Sequence, residues 1–119
     1  MAATFHLEPN HNPTAGQSTL IWFALTRRGG ALIPLQNCQC QLKIYRLPSP
    51  SGSPPLLQPS LQAITAEVYQ GIPGAEVIFP QIGRYRLELS GSPIIPEAFQ
   101  PFTLNYEVTV TQASQGSQP

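Results

Sequence analysis

Aspartate is absent from this 119-residue chain, and histidine and cysteine occur only twice each. General acids, bases and metal ligands come mostly from these residue types, so the usual equipment of an enzyme is thin and no enzymatic activity is expected. Charge is scarce as well: six basic and six acidic residues cancel to a formal net charge of zero. Without a broad positive field the chain lacks the main driving force for binding nucleic acid or an anionic membrane, so neither is expected as a partner. The longest uncharged apolar run, Leu20–Leu25, falls far short of the roughly 20 residues a transmembrane helix needs. Any membrane anchor would therefore lie outside this chain. The start, Met1-Ala-Ala-Thr-Phe5, lacks the basic and apolar regions of a signal peptide, which fits either a cytosolic protein or one whose leader has been removed.

What is present is turn and strand chemistry. Fourteen prolines and nine glycines punctuate runs rich in Ile, Leu, Val, Phe and Tyr, as in strands joined by turns. Gly83-Arg-Tyr-Arg-Leu-Glu-Leu89 and Phe102-Thr-Leu-Asn-Tyr-Glu-Val-Thr-Val110 alternate polar and apolar side chains. Successive strand residues point to opposite faces, so Tyr85, Leu87 and Leu89, and likewise Phe102 through Val110 at every second position, face a core. A one-sided sheet needs a second layer. Further strands are expected at Thr4–Glu8, Ser18–Thr26, Cys38–Leu47, Leu61–Tyr69 and Ala75–Phe79, with a short extended piece at Ala31–Leu35. Leu61–Tyr69 also tolerates a helical turn. The proline-rich Pro48–Pro59 segment has too many missing donors for a sheet interior and reads as a stiff exposed loop. These elements predict an all-β fold: a single immunoglobulin-like antiparallel β-sandwich of about seven strands over residues 1–111, followed by a flexible polar tail, 112–119.

Gln81-Ile-Gly-Arg-Tyr-Arg-Leu87 resembles the segment leading into strand F of immunoglobulin-like domains, with Gln81 in place of the acid and Leu87 in place of the cysteine. The resemblance implies a tyrosine corner at Tyr85, beside the plainer reading of an inward aromatic. More loosely, Pro9, Gly16–Thr26, Gly29-Gly30, Ile33-Pro34, Cys40–Tyr45, Phe79-Pro80 and Gly83–Leu87 occur in an order similar to envelope β-sandwiches of the FixH, YtkA and CopC kinds. That likeness implies a periplasmic or otherwise extracytoplasmic domain, with copper delivery or oxidase assembly among the family's roles.

Cys38-Gln39-Cys40 is the one pair with obvious chemistry. Two thiolates at i and i+2 share a strand face and suit soft metals, but the same parity aligns them with Leu42 and Ile44, as buried thiols that act as small hydrophobes. A disulfide is a third reading, penalised because Cα atoms two apart on an extended strand are about 6.5 to 7 Å distant. Reduced, poorly accessible thiols are expected. A metal site would use Cys38, Cys40 and His6; His6 points away from the core between Phe5 and Leu7, and His11 in the following turn lies too far from the cysteines to share an ion with them. No Ser-His-Asp triad, phosphate loop or dinucleotide fingerprint appears.

Strand Ser18–Thr26 is apolar on both faces, with Leu20, Trp22 and Ala24 opposite Ile21, Phe23 and Leu25. The second face needs cover, either from a neighbouring part of this domain, for example the Pro48–Pro59 segment, or from a partner. Arg27 and Arg28 share an end of the predicted sandwich with Ile94, Ile95 and Phe99 of the Gly91–Pro101 connection. Apolar anchors beside arginines on loops over a rigid scaffold suit protein binding. The sequence thus points to a non-enzymatic binding or assembly module of the cell envelope that recognises a protein partner and needs no cofactor. The alternative is a periplasmic copper-handling domain using the Cys-x-Cys pair.

Overall fold

Alternation becomes a three-stranded antiparallel sheet in which β4 (Cys38–Arg46), β7 (Gly83–Pro93) and β8 (Phe102–Val110) lie side by side in the order β4-β7-β8. The computed structural model describes residues 1–112, so all of the expected tail but Gln112 lies outside the described residues. Tyr85, Leu87 and Leu89 of β7 are fully buried while Arg84, Arg86 and Glu88 face outward, as the period-two pattern requires. The second sheet holds β1 (Ala2–Glu8), β2 (Ser18–Thr26), β6 (Tyr69–Ile78) and β5 (Gln62–Ala66) in the order β1-β2-β6-β5, with the two-residue β3 (Leu32–Ile33) also on β2. Every pairing between these strands is antiparallel. The predicted sandwich is therefore found, with eight strands among the described residues in place of about seven.

Between the sheets, Leu7, Ile21, Phe23, Leu25 and Val77 meet Leu42, Ile44, Leu87, Leu89 and Val108 in one apolar core. Phe5 on β1 stacks on Tyr106 of β8, ring centroids 4.4 Å apart, and joins the sheets along their shared open side. Burial there raises the Tyr106 phenol above its ordinary value. Tyr85 forms the corner: its hydroxyl donates to the Gln81 carbonyl at 2.7 Å and accepts from the Gln81 N–H at 3.3 Å.

Two elements differ from the sequence expectation. The Ala75–Phe79 strand is the end of a longer one, β6, that begins at Tyr69 and passes through Gly71, Pro73 and Gly74. Its pairing with β2 stops at Gly74, so Pro73 sits just beyond the ladder that a missing N–H would interrupt. Leu61–Tyr69 is strand β5 plus a tight turn at Glu67-Val68 rather than one strand, and Ala66 pairs with Tyr69 across it. The β5–β6 hairpin packs Ile64, Ala66, Tyr69 and Ile72 onto Leu20, Trp22 and Ala24, making a second small apolar cluster on the outer face of β2. Trp22 is thereby fully buried. The cover thus comes from within the domain, from this hairpin and not from the Pro48–Pro59 segment offered as an example; that segment closes the free edge of β4, where the Ile44 N–H donates to the Leu57 carbonyl at 2.9 Å and the Ile44 carbonyl accepts from Leu56 N–H at 2.8 Å.

Candidate functional site

One end of the sandwich collects most of the residues singled out in the sequence. Strand β2 ends in the Arg27–Ala31 turn, closed by hydrogen bonds from Arg27 N–H to the Ala31 carbonyl and from Gly30 N–H to the Arg27 carbonyl, each 2.8 Å. Gly29 and Gly30 hold φ of 96° and 95°, which side-chain-bearing residues rarely adopt. After β3, a 3-10 turn at Leu35–Asn37 carries the chain to β4 in the other sheet. The Asn37 carbonyl then accepts from Ile94 N–H at 3.2 Å, pinning the start of the β7–β8 connection. That connection folds back on itself through Ala98 N–H to the Ile95 carbonyl at 3.1 Å.

The result is a notch of about 70 Å³ lined by Arg27, Leu32, Ile33, Asn37, Ile95, Ala98 and Phe99. Arg27, Ile95 and Phe99 are thus brought together, while Ile94 and Ile95 remain 50% and 62% exposed. Arg28 is exposed on the turn beside them. Phe99 has a divided role, because it also packs against the main core and lies 6.0 Å from Phe102 by ring centroids. Leu32, Ile33, Asn37 and Ala98 complete the wall; nothing in their local pattern marked them, since they meet only through the crossing between sheets.

Cys38 and Cys40 stand at the same end, and here the expectation of reduced thiols is corrected: they are joined as a disulfide, Cα atoms 5.3 Å apart. The strand contracts across Gln39, directly after the 3-10 turn, so the ideal extended spacing does not apply. Gly91, paired with Cys40, makes the room. A Cβ placed on it would lie 2.7 Å from Cys38 Sγ and 2.9 Å from Cys40 Sγ, closer than real contacts allow.

His6 is not brought to the cysteines. It lies on the outer face of the larger sheet, stacked on Trp22 at 4.9 Å, whereas the sulfurs lie on the core side of the smaller sheet. Its two ring nitrogens meet different partners: Nδ1 lies 2.8 Å from His11 Nε2, and Nε2 lies 3.7 Å from Glu8 Oε2. Glu8 in turn accepts from Trp22 Nε1–H at 3.1 Å. These groups form a string through one imidazole rather than a set of lone pairs converging on a point. Among the described residues, no group of three or more His, Cys, Asp or Glu side chains gathers to hold a metal ion. The proximity of His6 and His11 was missed in the sequence because it depends on the turn, where His11 takes a left-handed φ of 61°.

The chain matches no protein-family model, no curated protein sequence and no solved structure. Among the described residues, no helix is long and apolar enough to cross a membrane.

Proposed function

We propose that this chain is a non-enzymatic, extracytoplasmic binding module that holds a protein partner at the end formed by Arg27, Arg28, Ile94, Ile95 and Phe99. One observation carries the reading: two half-exposed isoleucines stand beside a phenylalanine-walled notch lined by Arg27, on a connection pinned at its base to Asn37. Such an arrangement supplies apolar anchors whose position is already fixed, which lowers the ordering cost of association. Strand register adds two more exposed apolar residues at the same end. Met1 precedes the Ala2–Thr26 pair, and Val68 lies at the hairpin tip beyond Gly74, which pairs with Trp22. The disulfide supports the compartment, since such bonds persist mainly in oxidising surroundings. The copper alternative draws on the same two sulfurs and gains no support from the position of His6.

The double substitution Ile94→Ala/Ile95→Ala tests the reading. Both side chains are exposed, so thermal stability should stay within about 0.5 kcal/mol of the parent, while capture of the envelope partner weakens by about thirtyfold or more. Capture unchanged by the double substitution would reject this end as the binding surface. Phe99→Ala is the poorer probe, because its core packing makes it lose stability as well as contact.

A further inference from the structure

A disulfide stabilises a fold mainly by tying together segments that the unfolded chain would let drift apart, and the effect grows with the loop enclosed. Cys38 and Cys40 enclose a single residue. Both are already held in the β4–β7 ladder, Cys38 opposite Pro93 and Cys40 opposite Gly91. The bond therefore joins nothing that the sheet does not already join. Yet its surroundings are shaped to receive it, because the missing side chain of Gly91 leaves the space that both sulfurs occupy. The two cysteines also differ in access: Cys38 is 5% exposed, whereas Cys40 is only half-buried.

We propose that Cys38–Cys40 is a thiol–disulfide exchange site whose co-reactant is a dithiol. A thiolate of the dithiol attacks the sulfur of Cys40, the more exposed of the two residues. As the new S–S bond forms, the Cys38–Cys40 bond breaks, and its electron pair leaves on Cys38, which takes a proton from water. The second thiolate of the dithiol then attacks its own sulfur in the mixed disulfide and releases Cys40, which is protonated in turn. The protein gains two electrons and two protons, and the dithiol is oxidised to its disulfide.

Opening the bond has a structural consequence at the notch. Two thiols cannot remain at bonding distance, so the sulfurs must separate to ordinary van der Waals contact. Their neighbour in the Gly91 space is Phe102, whose Cζ would lie 2.8 Å from a Cβ there. Phe102 packs near Phe99, a wall of the notch. Reduction thus shifts Phe102 and, through it, Phe99. The functional meaning of that shift rests on the binding-end reading above; the exchange reaction does not.

The test uses the native oxidised protein in buffers of graded reduced-to-oxidised dithiothreitol ratio, quenched with acid, alkylated and weighed, with circular dichroism recorded alongside. The expected result is the uptake of two alkyl groups while the strand signal stays intact, with NMR shifts moving at Gly91, Phe99 and Phe102 but not at Trp22. Gly91→Ala should move the equilibrium towards the dithiol form by about tenfold, because the added methyl competes with both sulfurs. A bond that yields only when the strand signal is lost is a buried structural link, and free thiols in air-oxidised protein mean no bond forms; either overturns the proposal. Should Gly91→Ala fail to fold, the parent protein's reduction profile decides alone. No partner is present in the assay, so failure here leaves the binding end standing, and failure of the Ile94/Ile95 test leaves the exchange site standing.

Discussion

Arg84 and Glu107 join side chains across the outer face of β7 and β8, and each holds the other in its charged form. The hydrogen bond from Arg84 lowers the Glu107 carboxyl below its ordinary value, and the same bond raises the Arg84 guanidinium. Because the folded value of Glu107 is depressed, the pair contributes stability above the unfolded carboxylate range and loses it as pH falls through the lower folded value. Both groups are exposed, so the effect is small and is screened by salt. Carboxyl-detected NMR should find Glu107 titrating below its usual range, and Arg84→Gln should return it there; a midpoint that Arg84→Gln leaves unmoved would remove the pairing from the account. At this scale legibility was uneven. The Gln81–Leu87 segment marked Tyr85 for a corner, and its hydroxyl makes one. The Cys38–Cys40 bond was hidden because ideal strand geometry separates such residues too far, and only the contraction at Gln39, with the room left by Gly91 opposite Cys40, brings them together.

Elements were legible where one face meets water. Strands β7 and β8 declare themselves by alternation because one side of the smaller sheet is solvated. Strand β2, apolar on both faces, required a cover that the sequence did not identify. The cover is the β5–β6 hairpin, disguised because Gly71-Ile-Pro-Gly74 reads as a turn while lying within a strand. The chain's single tryptophan reports on this packing, since Trp22 is fully buried under Tyr69 with ring centroids 5.8 Å apart. Its fluorescence in the folded protein should be blue-shifted and poorly quenched by iodide. Tyr69→Ala should shift the emission to longer wavelength and destabilise the fold by about 2 to 4 kcal/mol, at or below the usual range for deleting a fully buried aromatic because Tyr69 is only partly buried. A Trp22 quenched freely in the parent would mean that the hairpin does not lie over β2.

The whole molecule is a sandwich whose two ends are unlike. At one end, Arg46 ties the β6–β7 turn down by bonding to Gln81 and to the Ile82 carbonyl. The other gathers the Arg27–Ala31 turn, the 3-10 turn, the disulfide and the β7–β8 connection from both sheets. The sequence placed Arg27, Ile95 and Phe99 at one end by strand order alone, and their notch follows from it. Its remaining walls were not legible because they come from separate elements that meet only after the chain crosses between sheets. In the proposed function this end meets the partner. Site-specific photo-crosslinking in intact cells tests it most directly: a benzoylphenylalanine at position 95 is compared with one at position 82, since Ile95 and Ile82 are 62% and 51% exposed at opposite ends. A binding surface at the Arg27–Ile95 end should give a discrete crosslinked protein from position 95 and none from position 82. Equal crosslinking from both positions, or crosslinking from position 82 alone, would contradict it.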